Sequence, residues 1–148
     1  MARDTTLLIP ALGGLYRALT PFTEPAIRVV AGASLAIHGY PILFGNTAAV
    51  AKFLESTGFH HGLFWGYVVG AVEFFCGLFL AVGLLTRVVA VPIIGFLVVA
   101  IVTYHWQFGF NWENRGFEYP LFWSIVVFYF LVRGGGPCSI DAIIGKEV

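Results

Sequence analysis

Residues 63–85 read LFWGYVVGAVEFFCGLFLAVGLL, a run of apolar and small side chains with one ionisable acid, Glu73, and no basic residue. The hydrocarbon of a bilayer is about 30 Å thick and a helix rises 1.5 Å per residue, so about 20 such positions suffice to cross it. The apolar character is continuous instead of alternating in segments of about ten, which selects a helix over a barrel strand. Three further stretches of the same kind lie on either side of this one, at 26–45, 88–106 and 118–132. The fourth is the shortest.

The rest of the composition agrees with a lipid solvent. Of 148 residues 59% are hydrophobic and only 11% charged, too few to cover a soluble domain this small without large exposed apolar patches. Disorder is excluded by the same numbers, because unfolded chains combine low hydrophobicity with high charge. The formal net charge is zero and no basic run occurs, so the electrostatic footprint that nucleic acid requires is missing. The expected fold is an all-α membrane protein: a single domain over 1–148 with a four transmembrane helix bundle, an interfacial N-terminal segment and a short outer surface helix.

Basic residues in the short flanks set the orientation. With four spans, Arg3, Arg17, Arg28, Arg87, Arg133 and Lys146 collect on one side and only Lys52 and Arg115 on the other. Both termini are therefore expected in the cytoplasm, and the expected location is a bacterial cytoplasmic (inner) membrane. Phe64, Trp65, Tyr104, Trp106, Trp112, Tyr119 and Trp123 cluster near the outer boundary, where amphipathic rings anchor helices. Two segments read as interfacial. Leu8, Leu12, Leu15, Tyr16 and Leu19 recur at helical spacing near the N-terminus. Between Asn46, a plausible N-cap, and Gly58, a stop, Val50, Phe53 and Leu54 form one face of a surface helix and Lys52, Glu55 and Ser56 the other.

Ionisable groups at membrane depth are expensive and usually mark function. Counted from the cytoplasmic ends, Glu73 lies about 16–18 Å deep and His38 about 18 Å deep, so antiparallel packing of the first two helices would let His38 reach Glu73. Gly66, Gly70, Glu73 and Gly77 share one face of the second helix, a stripe of small residues that admits a neighbour closely, and Gly32 and Gly39 offer a matching stripe. Two readings of Glu73 stand side by side: a fixed polar clasp between helices, or a ligand and proton site. Arg28 either snorkels to headgroups or meets an anion or a neighbouring carboxylate; a direct bond to Glu73 is out of reach across a depth gap of over ~10 Å.

The outer side collects His60, His61, His105, Glu113, Arg115 and Glu118 around an aromatic loop. No pair there has the i, i+4 spacing of helix-borne ligands, so no metal is expected. Glu118 also suits the positive end of the fourth helix, two residues before Pro120, and Tyr119 beside it reads as an interface anchor. Cys76 and Cys138 lie far apart in depth, and no C-x-x-C pair is present for dithiol exchange. Motifs for haem, flavin and iron–sulfur clusters are likewise missing from the sequence.

These landmarks together resemble the DoxX family of small four-helix membrane proteins. The resemblance is carried by Arg28, Gly32 and the His38-Gly39 pair; by Phe53-Leu54 and Gly58; by Glu73, Gly77-Leu78 and the run LAVGLLTR at 80–87; by Gly116, Glu118 and Tyr119; and by Gly134-Gly135-Gly136 with Ser139-Ile140-Asp141-Ala142. It covers roughly 28–144. The family often continues the His-Gly pair with a nearby Lys, whereas Tyr40-Pro41 follow here, which puts any role of that Lys in question. The resemblance implies association with membrane redox systems, quinone-linked oxidation among them, while more distant relatives look like chaperones or cargo receptors.

The functional expectation is an integral-membrane redox component that binds a quinone-type or other lipophilic ligand in the bundle and works with a partner oxidoreductase subunit. In it His38 and Glu73 relay protons, while Arg28, His105, Glu118 and Tyr119 hold the ligand. Whether the chain is itself an enzyme stays open. The alternatives are a non-catalytic scaffold or assembly subunit, and a small-molecule or proton transporter, which four helices would require a homo-oligomer to form. The glycine stripes serve intramolecular packing and dimerisation equally.

Overall fold

The computed structural model describes residues 6–146; Arg3, counted above among the basic flanks, lies outside them. Among the described residues every regular element is helical. After a tight turn at Pro10–Leu12 comes α1 (Gly13–Phe44), then α2 (Thr47–Ser56), α3 (Gly62–Val82), α4 (Thr86–Phe108), α5 (Glu118–Arg133) and a final short α6 (Ile140–Ile144). Pro10–Phe44, Gly62–Val82 and Thr86–Phe108 are long and apolar enough to cross a membrane. The helix expected over 118–132 is present as α5, but its 16 residues extend only about 24 Å.

The N-terminal segment expected at the interface runs without a break into the first span: α1 is 32 residues long, about 48 Å. Arg17, Pro21 and Pro25 read as interruptions. Each proline removes one backbone donor, yet membrane helices tolerate this where local adjustments satisfy the freed groups. Thr20 and Thr23 also turn their hydroxyls back onto the helix, donating to the carbonyls of Tyr16 and Thr20.

α1 and α3 are held together by the two glycine stripes. A Cβ at Gly32 would collide with the backbone of Gly77 and Ala81, and one at Gly77 would lie 2.8 Å from the Ala36 nitrogen. On α2, Thr47 and Ala51 are buried against Gly62 and Gly66, while Val50 and Leu54 are half-buried and Phe53, though exposed, meets the Tyr104 ring edge-on at 5.0 Å. Glycine on α3 lets the small side chains of α2 approach closely. Asn46 precedes α2 but its side chain makes no capping bond, and the Thr47 hydroxyl instead donates to the Ile42 carbonyl at 2.6 Å.

The core unites Ala31 and Leu35 of α1, Leu80 of α3, Val89, Ala90, Ile93 and Leu97 of α4, and Val127 and Phe130 of α5. Outward faces carry exposed Val30, Ile37, Val91, Ile125 and Phe128, as expected where lipid is the solvent.

α3 and α4 both depart from α-helical geometry for one turn. Val72–Cys76 and Ile101–His105 are π-helical, each fitting one extra residue into a turn. Such bulges concentrate at functional sites. Glu73 lies in the first and His105 in the second.

Candidate functional site

Glu73 faces into the bundle because it continues the glycine stripe of α3. Gly39 of α1 packs on it so tightly that a Cβ at position 39 would lie 2.7 Å from the Glu73 Cβ and closer still to the Phe74 nitrogen. Glu73 is 7% exposed, and its Oε2 is buried without a hydrogen-bond partner. Buried polar atoms are nearly always satisfied, and an orphaned carboxylate oxygen calls for an explanation.

That oxygen belongs to a residue lining a cleft of about 520 Å³ walled by α1, α3, α4, α5 and the loop before α5. Ser34 and His38 line it from α1, Phe96, Ala100 and His105 from α4, and Tyr119 and Trp123 from α5. A volume of this order suits a ring-sized small molecule. His38 and Glu73 therefore share one cleft, yet no hydrogen bond or ion pair joins them. Gly39 occupies the line of closest approach between α1 and α3, and a neighbouring residue 100° around the helix points to its flank. His38 accordingly stands on the exposed side of the cleft and Glu73 on its floor.

The loop fixes His105. Its Nδ1 lies 2.6 Å from the Arg115 carbonyl. A carbonyl only accepts, so Nδ1 carries the hydrogen and, in the neutral ring, Nε2 keeps a free lone pair. The loop itself is stapled by Phe117 and Glu118 amides donating to Gly109 and Phe110 carbonyls, both at 3.0 Å. Glu118 contributes to that stapling: its Oε2 accepts from the Trp112 amide at 3.2 Å, and it does not line the cleft. Trp112, Arg115 and Trp123, which the sequence reading assigned only to a belt or a loop, do line it.

Arg28 is elsewhere. It is 1% exposed and all its nitrogens are committed to carbonyls: Nη1 donates to Gly135 and Pro137, Nη2 to Cys138 at 2.9 Å, and Nε to Ala81 at 3.4 Å. It neither snorkels nor lines the cleft, because the glycine-rich segment at 134–138 folds back over it. The positive-side bias keeps its direction without it. Asp141 completes this lock. Its carboxylate accepts from the Leu85 and Thr86 amides at 2.8 and 2.9 Å and from the Thr86 hydroxyl at 2.8 Å, capping the start of α4. Burial pushes the Asp141 carboxyl up, but the hydrogen bonds from Thr86 and Leu85 and the charge of Arg28 outweigh it and hold the group below its ordinary value. A second clasp joins α1 to α5, where Glu24 Oε1 accepts from the Tyr129 hydroxyl at 2.5 Å and pairs with Arg133 at 3.4 Å.

Long apolar helices closing on buried polar groups define an integral membrane protein. The DoxX family model matches residues 25–106, more than half of the chain, and the protein belongs to the DoxX family. The match includes His38, Glu73 and His105 and ends before the stapled loop, α5 and the C-terminal lock. Neither a curated protein nor a solved structure matches the chain.

Proposed function

We propose that this membrane protein binds a quinone-type or similar lipophilic ring in the cleft and serves a redox system together with a partner oxidoreductase. The observation that carries the reading is the buried Glu73 Oε2, which lacks a partner and belongs to a wall of a cleft large enough for such a ring. His38 and Tyr119 on the exposed flanks leave the cleft accessible from the side, where a ligand dissolved in the membrane would approach.

The residues fit the group. A carbonyl or hydroxyl on the ring would complete the hydrogen bonding of Glu73, with His105 Nε2 as a second polar contact and Phe96, Trp112 and Trp123 as aromatic and apolar walls. A quinone, when bound, supplies two-electron, two-proton chemistry. Glu73 holds or gives up a proton at Oε2, His105 is oriented by the Arg115 carbonyl so that Nε2 exchanges the other, and His38 links the cleft to its open side. Electrons come from the partner, since the sequence carries no haem, flavin or iron–sulfur motif. The basic flanks support cytoplasmic termini in a bacterial inner membrane.

Native mass spectrometry of the protein released from its own membrane tests this reading. The expected result is a retained lipophilic ring compound and a companion oxidoreductase subunit. Recovery with lipids alone, and no response to added quinones, would overturn it and favour a scaffold.

A further inference from the structure

A second cavity of about 550 Å³ lies on the other side of α4, beneath α2. Its wall is almost entirely apolar, with Phe53 and Leu54 from α2, Val68 and Val69 from α3, and Gly95 and Val99 from α4. Four residues line both this cavity and the cleft: Glu73, Phe96, Ala100 and His105. The polar groups of the two π-helical turns thus stand where a hydrogen-bonding chamber meets a hydrocarbon chamber. Ala100 is the smallest side chain of the shared wall.

From this juxtaposition we infer that the second cavity is a tail subsite: one amphiphile places its ring head in the cleft and its linear hydrocarbon tail past Phe96 and Ala100 into the space under α2. The inference rests on the proposed ring site and specifies the ligand further, as a ring bearing a long unbranched or isoprenoid-like chain. Two features favour this occupant over an independent membrane acyl chain. The cavity abuts the polar site across four shared residues, and beyond the shared Glu73 and His105 its lining adds only Tyr104 and Thr103 as polar residues, the Thr103 hydroxyl being spent on the Val99 carbonyl at 2.7 Å. Tail binding here gains from close packing, because hydrocarbon leaving lipid gains no hydrophobic free energy.

The test uses the full-length protein in bilayer nanodiscs and two probes: a benzoquinone with a short alkyl group, and the same ring with a decyl chain ending in a photoactivatable diazirine. Tryptophan quenching reads head binding and peptide mapping of the photoadduct reads the tail. The expected result is labelling within 50–54 and 65–72 that the short-chain ring suppresses by competition. Gly95→Phe adds a check: a Cβ there meets nothing within 4 Å, so the variant fills the apolar cavity without a backbone clash. It should weaken the long-chain probe about tenfold and leave the short-chain ring bound as before. Labelling that persists under competition, or equal labelling by an alkyl diazirine with no ring, would show an acyl-chain groove and overturn the tail subsite while the ring site stood. Failure of the short-chain ring to bind wild-type protein would overturn the ring site, and this inference with it.

Discussion

Asp141→Asn tests the C-terminal lock. In the folded protein one carboxylate oxygen serves Leu85 and the other serves both groups of Thr86, three bonds in all. An asparagine retains one acceptor oxygen. Turned toward Thr86, it keeps two of the bonds and leaves the Leu85 amide facing an NH2 group; turned the other way, it loses two. Leaving one buried amide unsatisfied costs about 1–3 kcal/mol, and loss of the charge that faces Arg28 adds to this. The expected destabilisation is therefore about 2–4 kcal/mol, measured by reversible unfolding in mixed micelles. The pH dependence has a definite sign. Because the folded carboxyl lies below its ordinary value of 3.8, its contribution is fully present above that value and is lost as the pH falls through the folded value. Wild-type stability should fall in that acid window, and the Asn variant should lack that component. A variant within about 0.5 kcal/mol of wild type at pH 7 would refute the capping role, since changes of that size are ordinary for unengaged surface positions.

Other consequences can be measured alongside it. Arg28→Lys should cost about 2–4 kcal/mol and expose residues 134–146 to protease, because a single ammonium cannot satisfy the four carbonyls that the guanidinium spans; unchanged proteolysis would count against the lock. Gly39→Ala should destabilise by about 1–3 kcal/mol, since the added methyl meets the backbone of α3, whereas Gly95→Ala should stabilise by about 0.5–1 kcal/mol, having open space and a better helix former. Equal effects of the two on unfolding would contradict the packing described.

The spans were legible because lipid imposes continuous apolar runs, and 63–85 announces itself against observed bounds of Gly62–Val82. The glycine stripes were legible too, since small residues at helical spacing have one dominant use in membranes. The beginning of α1 was not, because Pro21 and Pro25 look like stops, yet the helix runs through both. Nor was the partner of Arg28: Gly135 is 107 residues away, and no local pattern encodes that meeting. The shared cleft of His38 and Glu73 followed from counting depth along two helices. Their lack of a mutual bond did not, since depth says nothing about which way around the helix a side chain points once Gly39 takes the contact. His105 was named as a ligand contact from its place in the aromatic loop, but π-helical turns leave no compositional trace, so the bulges that carry Glu73 and His105 were not legible. A long aromatic loop carrying Trp112 and Arg115 reads as a membrane belt until its stapling to Glu118 is seen.

The central claim is that the Glu73 carboxyl awaits a hydrogen-bonding ring ligand. Equilibrium quenching of the cleft tryptophans by a short-chain benzoquinone, compared between wild type and Glu73→Gln of equal stability, addresses it most directly. Saturable binding to wild type, weakened roughly three- to tenfold in the variant, corresponds to one hydrogen bond of about 1 kcal/mol and is the predicted result. Identical binding curves, or none that saturates, would contradict it.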